Sequence, residues 1–280
     1  MGSLYDHIGK GYTRTRNADP RIAKELEKLL GLHEGSKVLD VGAGTGNYSC
    51  ALAEAGYHVT ALEPSKVMCA QGKQHSRLCW VEGNAEDLPF EAKNFDAVVM
   101  TLSMHHFEDW KASIREAVRE AVRVAGNGPV VIFTFDPDFE SGFWLLDYFP
   151  DLAEQAKEWF PKIADMEDFV IEEIDGELEL VRFPLPFDIQ DHFAAAGWAR
   201  PEVYLEEQYR SGISHFASGD QEQIREDAVR LSRDLESGLW DRKFGELRNS
   251  KILEVGFLFM KIQRREQTEC HQLLEPASLP

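Results

Sequence analysis

The chain has 280 residues, 43% hydrophobic and 28% charged, and its 30 Lys plus Arg against 49 Asp plus Glu leave a net charge of −19. That length suits one large α/β domain or two small ones. So acidic a surface repels phosphate backbones, which argues against a nucleic-acid partner, and no apolar run is long enough for a membrane-spanning helix. The four cysteines, Cys50, Cys69, Cys79 and Cys270, form no C-x-x-C pair and no Cys/His ligand spacing. Free thiols in a reducing cytoplasm are therefore expected, with no metal centre.

Residues 4–19 form an aromatic and basic leader. Asp19-Pro20 then reads as an N-cap followed by proline at the first helical position. Ile22, Leu26, Leu29 and Leu30 fall on one helical face, and Gly31 ends the helix. Residues 37–41, Lys-Val-Leu-Asp-Val, are a short apolar run that predicts a buried strand. Gly42, Gly44 and Gly46 follow it at alternate positions, and a helix is expected over 47–56. A parallel strand entering a glycine turn and then a helix gathers unhindered backbone N–H groups at one point. A dinucleotide fingerprint would need glycine at position 47, which is Asn47.

With Asp40 included, the run is D-x-G-x-G-x-G. It resembles the first motif of the class I S-adenosylmethionine-dependent methyltransferases. The second strand is expected over 57–62 and ends at Glu63, 21 positions beyond Gly42. An acidic side chain there sits at the tip of the neighbouring strand, where both carboxylate oxygens can accept ribose hydroxyls. Pro64 follows, with a helix expected from Ser65 and a third strand over 78–82. Residues 83–90, Gly-Asn-Ala-Glu-Asp-Leu-Pro-Phe, are similar to the family's adenine-holding loop, with Asn84 where the family usually has Asp. Residues 94–100 resemble the F-D-x-V strand that follows it, and a helix is expected over 110–124.

The resemblance covers residues 35–135 and implies a doubly wound, Rossmann-like, mostly parallel seven-stranded sheet with an antiparallel last strand. It implies S-adenosylmethionine as cofactor, bound by Asp40, Gly42, Ala43, Gly44, Gly46, Glu63, Pro64, Asn84, Ala85, Glu86 and Ser103. Tyr12 and Arg16 of the leader are implied near the cofactor's carboxylate. His105 or His106, after the fourth strand, is the candidate base or acceptor-orienting group, and Met104 stands beside them.

Residues 129–135 predict a strongly apolar fifth strand. Beyond it, residues 136–180 carry 15 acidic and 2 basic side chains among many aromatics. An inserted lid is expected over 136–186, with Trp144 and Tyr148 as a substrate wall. Core structure is expected to resume over 187–210, as a helix to 197 and a strand over 201–210. A second helical cap is expected over 211–250, a last strand within 251–263, and a loosely docked tail from 264. The function implied is methyl transfer to a small molecule, apolar or cationic. An inactive cofactor-binding scaffold subunit and a nicotinamide dehydrogenase are the alternatives, and the oligomeric state is left open.

Overall fold

A computed structural model describes residues 16–104, 110–139 and 142–265. Helix α1 (Pro20–Leu30) starts where the Asp19 side chain accepts the Arg21 N–H at 2.9 Å, and it stops at Gly31 in the left-handed conformation. These are the start and stop signals legible in the sequence. There follow β1 (Lys37–Val41), α2 (Asn47–Glu54), β2 (His58–Leu62), α3 (Lys66–Ala70), β3 (Leu78–Val81) and β4 (Ala97–Thr101). A π-helical turn over Trp110–Ile114 leads into α4 (Arg115–Ala125), and β5 is Val130–Phe135.

Strands β1 to β5 pair in parallel, and β9 (Phe257–Arg264) runs antiparallel against β5. The sheet order is β3-β2-β1-β4-β5-β9-β6, where β6 is Gly176–Arg182. Strand order reverses between β1 and β4, so the carboxyl ends of these two strands border the crevice where ligands of such sheets bind. The near-continuous apolar runs follow from burial on both faces. Val38, Val99, Val131, Phe133 and Phe259 pack on one face with α1 and α2. Leu39, Val98, Met100, Ile132 and Met260 pack on the other with α4.

Three elements differ from the sequence reading. The strand expected over 201–210 is instead a 3-10 turn, Pro201–Leu205, followed by helix α8 (Glu207–Ser211). The outer strand is β6 (Gly176–Arg182), which lies inside the stretch expected to be an insertion. Its Glu-Leu-Glu-Leu alternation suits an edge strand with little burial, and the surrounding acidic composition concealed it. The helix expected over 187–197 is a series of turns, because Asp19 Oδ2 accepts the Gln190 N–H and Asp191 holds Arg16.

Between β5 and β6 lie α5 (Leu145–Tyr148), α6 (Asp151–Trp159) and α7 (Ile163–Phe169). Beyond β6, a small ribbon of β7 (Leu185–Pro186) and β8 (Ile252–Leu253) brackets α8, α9 (Ser214–Ser218), α10 (Gln221–Glu236) and α11 (Leu239–Phe244). The two helical insertions share one core. Trp144 stands edge-on to Trp240 at 5.2 Å and to Tyr204 at 5.6 Å, and its Nε1–H donates to Trp198 O at 2.8 Å. Leu231 joins this core, whereas Val229, two residues earlier on α10, is 58% exposed.

Candidate functional site

At the end of β1 the chain turns back at Gly42, whose φ is +71°. The N–H groups of Gly42 and Ala43 both donate to Leu62 O, at 2.9 and 3.1 Å, which ties the turn to β2. Ser103 crosses above and donates its hydroxyl to Val41 O at 3.1 Å. A Cβ on Gly42 would lie 2.6 Å from Ser103 Cβ, so only glycine fits. Gly44, φ +59°, is different: the nearest atom to a Cβ there is Met68 Cε at 3.5 Å. Its face is open to the cleft. Gly46 caps the N-terminus of α2.

Glu63 emerges beside this turn because β2 pairs Leu62 with Val41. Its two carboxylate oxygens accept the N–H groups of Gly44, at 2.9 Å, and Ser65, at 3.0 Å. Each oxygen has a further lone pair, enough for the two hydroxyls of a ribose. Burial raises the Glu63 pKa, and the bonds from Ser65 and Gly44 oppose that rise.

Asp40 lies deeper, 2% exposed. Its Oδ2 accepts the Ser49 hydroxyl at 2.5 Å, while the buried Oδ1 has no hydrogen-bond partner among the described residues. Burial, opposed by Ser49 and aided by the nearby Glu63 charge, pushes the Asp40 carboxyl up to about 6. A buried carboxylate oxygen without a donor is energetically unfavourable. A cationic amine entering the cleft would relieve it, and the ammonium of an S-adenosylmethionine molecule fits that requirement.

Arg16 lines the same cleft but is not a free cation. Its guanidinium forms a two-pronged ion pair with buried Asp191, in which Nε is in close contact with Oδ1 and Nη2 lies 3.2 Å from Oδ2. The Tyr48 hydroxyl donates to the same Oδ2 at 3.0 Å. Burial foremost, and then the Asp191 charge, raise the Tyr48 pKa far above its ordinary value, so it stays a donor. Asp191, Tyr48, Thr45, Met68 and Leu102 line the cleft and were not picked out from sequence. Leu102 carries a positive φ of +52°, a strained conformation for a branched residue.

The loop after β3 lines the cleft with Asn84, Ala85 and Glu86, and Pro64 lines it as well. Asn84 bridges to Asp87 through the backbone. The loop is clamped from α4: Glu120 Oε2 accepts the Leu88 N–H at 2.9 Å, and Arg123 donates to Phe90 O at 2.8 Å. The cleft measures about 200 Å³.

Tyr12, His105 and His106 lie outside the described residues. Met104, Trp144 and Tyr148, expected to meet substrate, turn into the core instead. Met104 and Trp144 are each 1% exposed, and the Tyr148 hydroxyl is held by Asp234 Oδ2 at 2.8 Å. A second, larger cavity of about 640 Å³ opens beyond the end of β5, lined by Phe135, Phe139, Phe143, Phe160, Phe257 and His215 among others. Phe139, Phe143 and Phe160 of the aromatic insertion line this cavity, and the expected Trp144 and Tyr148 do not.

A doubly wound sheet, a glycine turn at its switch point and an acidic residue at the tip of β2 define a methyltransferase of the class I type. Residues 39–133 match the family model described as "Methyltransferase domain". The solved structure of a presumed methyltransferase from an antibiotic biosynthesis pathway of Anabaena variabilis is 38% identical, with a TM-score of 0.83, over 88% of this chain and 98% of that one. The demethylmenaquinone methyltransferase of Corynebacterium glutamicum is 32% identical over 124 residues, 42% of this chain and 54% of that protein. The 2-methyl-6-phytyl-1,4-hydroquinone methyltransferase 1 of rice is 34% identical over 187 residues, 62% of this chain and 53% of the other. This chain thus spans about half the length of these two curated relatives. It belongs to the class I S-adenosylmethionine-dependent methyltransferases. Among the described residues no helix is long and apolar enough to cross a membrane.

Proposed function

We propose that this protein methylates a small molecule, with S-adenosylmethionine held in the cleft between β1, β2 and β4. The observation that carries the reading is the buried Oδ1 of Asp40, which has no hydrogen-bond partner among the described residues, at the base of a glycine turn. Asp40 receives the ammonium, and the open face of Gly44 lets the amino-acid end of the cofactor approach the main chain. Glu63 grips the ribose while keeping its bonds to Gly44 and Ser65. Asn84, Ala85 and Glu86 border the base, together with Pro64. Arg16, steadied by Asp191, lines the same cleft and is the cationic side chain assigned to the carboxylate of the cofactor, and Ser103 fixes the floor. The cofactor supplies an already activated sulfonium methyl. What remains for the chain is alignment of the acceptor, and positioning of this kind is worth roughly 7–11 kcal/mol. The free thiols of Cys50, Cys69 and Cys79 support a reducing, cytoplasmic setting.

Titration calorimetry with S-adenosylmethionine, S-adenosylhomocysteine and NAD tests the cofactor. The two adenosyl sulfur compounds are expected to bind and NAD is not. Binding of NAD alone would overturn the proposal. Release of S-adenosylhomocysteine over a panel of hydroxylated ring compounds tests transfer itself.

A further inference from the structure

Hydroxyl groups reach the lining of the cofactor cleft from Thr45, Tyr48, Thr101 and Ser103. All but one are committed within the protein. Thr45 Oγ1 accepts an Asn47 Nδ2–H at 3.2 Å, Tyr48 donates to Asp191, and Ser103 donates to Val41 O. Thr101 Oγ1 is buried and has no hydrogen-bond partner among the described residues. A buried hydroxyl without a partner is unfavourable, and valine would fill the same shape at the end of β4 without that cost.

The sheet places Thr101 beside Asp40. Val38 and Val99 belong to the core packed with α1 and α2. Side chains alternate along a strand, so Asp40 and Thr101, two residues further on, stand on that same face. Asp40 pairs with Val99 across β1 and β4. Thr101 is therefore its diagonal neighbour, one pleat nearer the carboxyl ends. A rise of about 3.3 Å per residue and a strand spacing of about 4.8 Å put their Cα atoms about 8 Å apart. Leu102, with φ +52°, bends the chain just beyond, so that Thr101, Leu102 and Ser103 all line the cleft. A straight strand would turn the middle one away. Strain held in this way clusters at ligand sites.

Two buried oxygens without a donor among the described residues thus share one face of the sheet and one cleft: Oδ1 of Asp40 and Oγ1 of Thr101. A hydroxyl has lone pairs to accept with, and a primary ammonium has three N–H groups to give. Burial already raises the Asp40 carboxyl, and the Glu63 charge adds to it. A hydroxyl supplies a second acceptor there without a further negative charge.

Resting on the methyltransferase reading, we propose that Thr101 is a cofactor-binding residue whose Oγ1 accepts a second N–H of the cofactor's ammonium, beside Asp40 Oδ1. The pair then selects adenosyl ligands that carry a free amine over adenosyl thioethers that lack one.

Calorimetry of the full-length protein with S-adenosylhomocysteine and with 5′-methylthioadenosine, which has the adenosyl sulfur but no amino acid, reads the contact. Thr101→Val is expected to weaken S-adenosylhomocysteine about tenfold, the lower end for a hydrogen bond to a charged group. It should leave 5′-methylthioadenosine within about twofold. Because an unpartnered hydroxyl is removed, the free variant should melt roughly 2–4 °C higher than the unaltered protein. Thr134→Val is the control. Thr134 Oγ1 is likewise buried and without a partner among the described residues, but Thr134 pairs with Leu258 on the opposite face of the sheet. Its replacement should raise the melting temperature and leave both affinities unchanged. Thr101→Ser, which keeps the hydroxyl, should hold S-adenosylhomocysteine within about threefold, whereas Thr101→Ala should lose it as valine does. These two variants decide the matter should the valine variant not fold. Affinity for S-adenosylhomocysteine within twofold of the unaltered protein in Thr101→Val or Thr101→Ala overturns the proposal. So does an equal loss for 5′-methylthioadenosine, or a lowered melting temperature in the free valine variant. Failure of the unaltered protein to bind S-adenosylhomocysteine would instead overturn the methyltransferase reading, so the two failures are distinct.

Discussion

Asp40→Asn separates what this carboxylate does for binding from what it does to stability. In the folded protein its carboxyl is held near 6, against an ordinary 3.8, chiefly by burial. The folded state therefore binds this proton more tightly than the unfolded chain does. Its stabilising contribution is fully present below about pH 3.8 and is lost as pH rises through about 6. The difference of about two pH units corresponds to about 3 kcal/mol forgone at neutral pH. Asparagine cannot ionise, so the substitution removes that loss. It also trades a charge-assisted bond from Ser49 for a neutral one, worth about 1 kcal/mol less. The net gain at pH 7 is about 2 kcal/mol, and the melting temperature should rise by roughly 4–8 °C. At pH 4 the gain should vanish. The same variant should bind S-adenosylhomocysteine at least about tenfold more weakly, having lost the counter-charge of the ammonium. Melting curves at pH 4, 5.5 and 7, with calorimetry at pH 7, read both effects. The unaltered protein should itself bind more tightly as pH rises from 5 to 7, because the ammonium selects the ionised carboxylate. A variant destabilised equally at pH 4 and pH 7, with full cofactor affinity, would refute the assignment of Asp40.

Glu63→Gln keeps shape but sets an NH₂ group against either the Gly44 or the Ser65 N–H, and it removes one charged acceptor from the ribose. Losing one charge-assisted bond at about 1.5–3 kcal/mol predicts roughly 10- to 150-fold weaker S-adenosylhomocysteine binding, and calorimetric affinity within threefold of the unaltered protein would remove the ribose role. Gly42→Ala forces a Cβ to 2.6 Å from Ser103 Cβ at φ +71°; strain and overpacking together should cost about 2–4 kcal/mol, and an unchanged denaturant midpoint would count against the rigid turn. Asp191→Asn leaves Arg16 buried beside a neutral partner; a loss of about 2–4 kcal/mol should appear in urea unfolding, with cofactor affinity falling as well, and a stability change under 0.5 kcal/mol would show that the pair holds nothing in place.

Local signals carried most of the architecture. The runs at 97–101 and 130–135 are apolar but for Thr101 and Thr134 because both faces of β4 and β5 are covered, and the turn glycines mark where backbone must come close to backbone or stay open. Glu63 was legible for the same reason: one strand–turn–helix–strand unit fixes its distance from Gly42. The residues missed belong to contacts that no window along the chain contains. Asp191 meets Arg16 across 175 positions, and its neighbours look like a helix until that bond fixes them as turns. The aromatic insertion was recognised by composition, but composition does not set helical phase. Trp144 and Tyr148 stand four apart on the single turn around α5 and so share a face, and that face looks into the core formed with Trp240 and Tyr204. Phe143 and Leu146, out of phase with them, line the cavity. His215 carried no motif at all, since what distinguishes it is the Trp159 and Phe160 rings brought from a helix more than fifty residues away. The glycine turn and its acidic partner are thus written within single βα units, whereas the second cavity, lined by residues of both insertions, exists only once these have packed on each other. A cavity assembled in that way can change its occupant by substitutions on either insertion without disturbing the glycine turn.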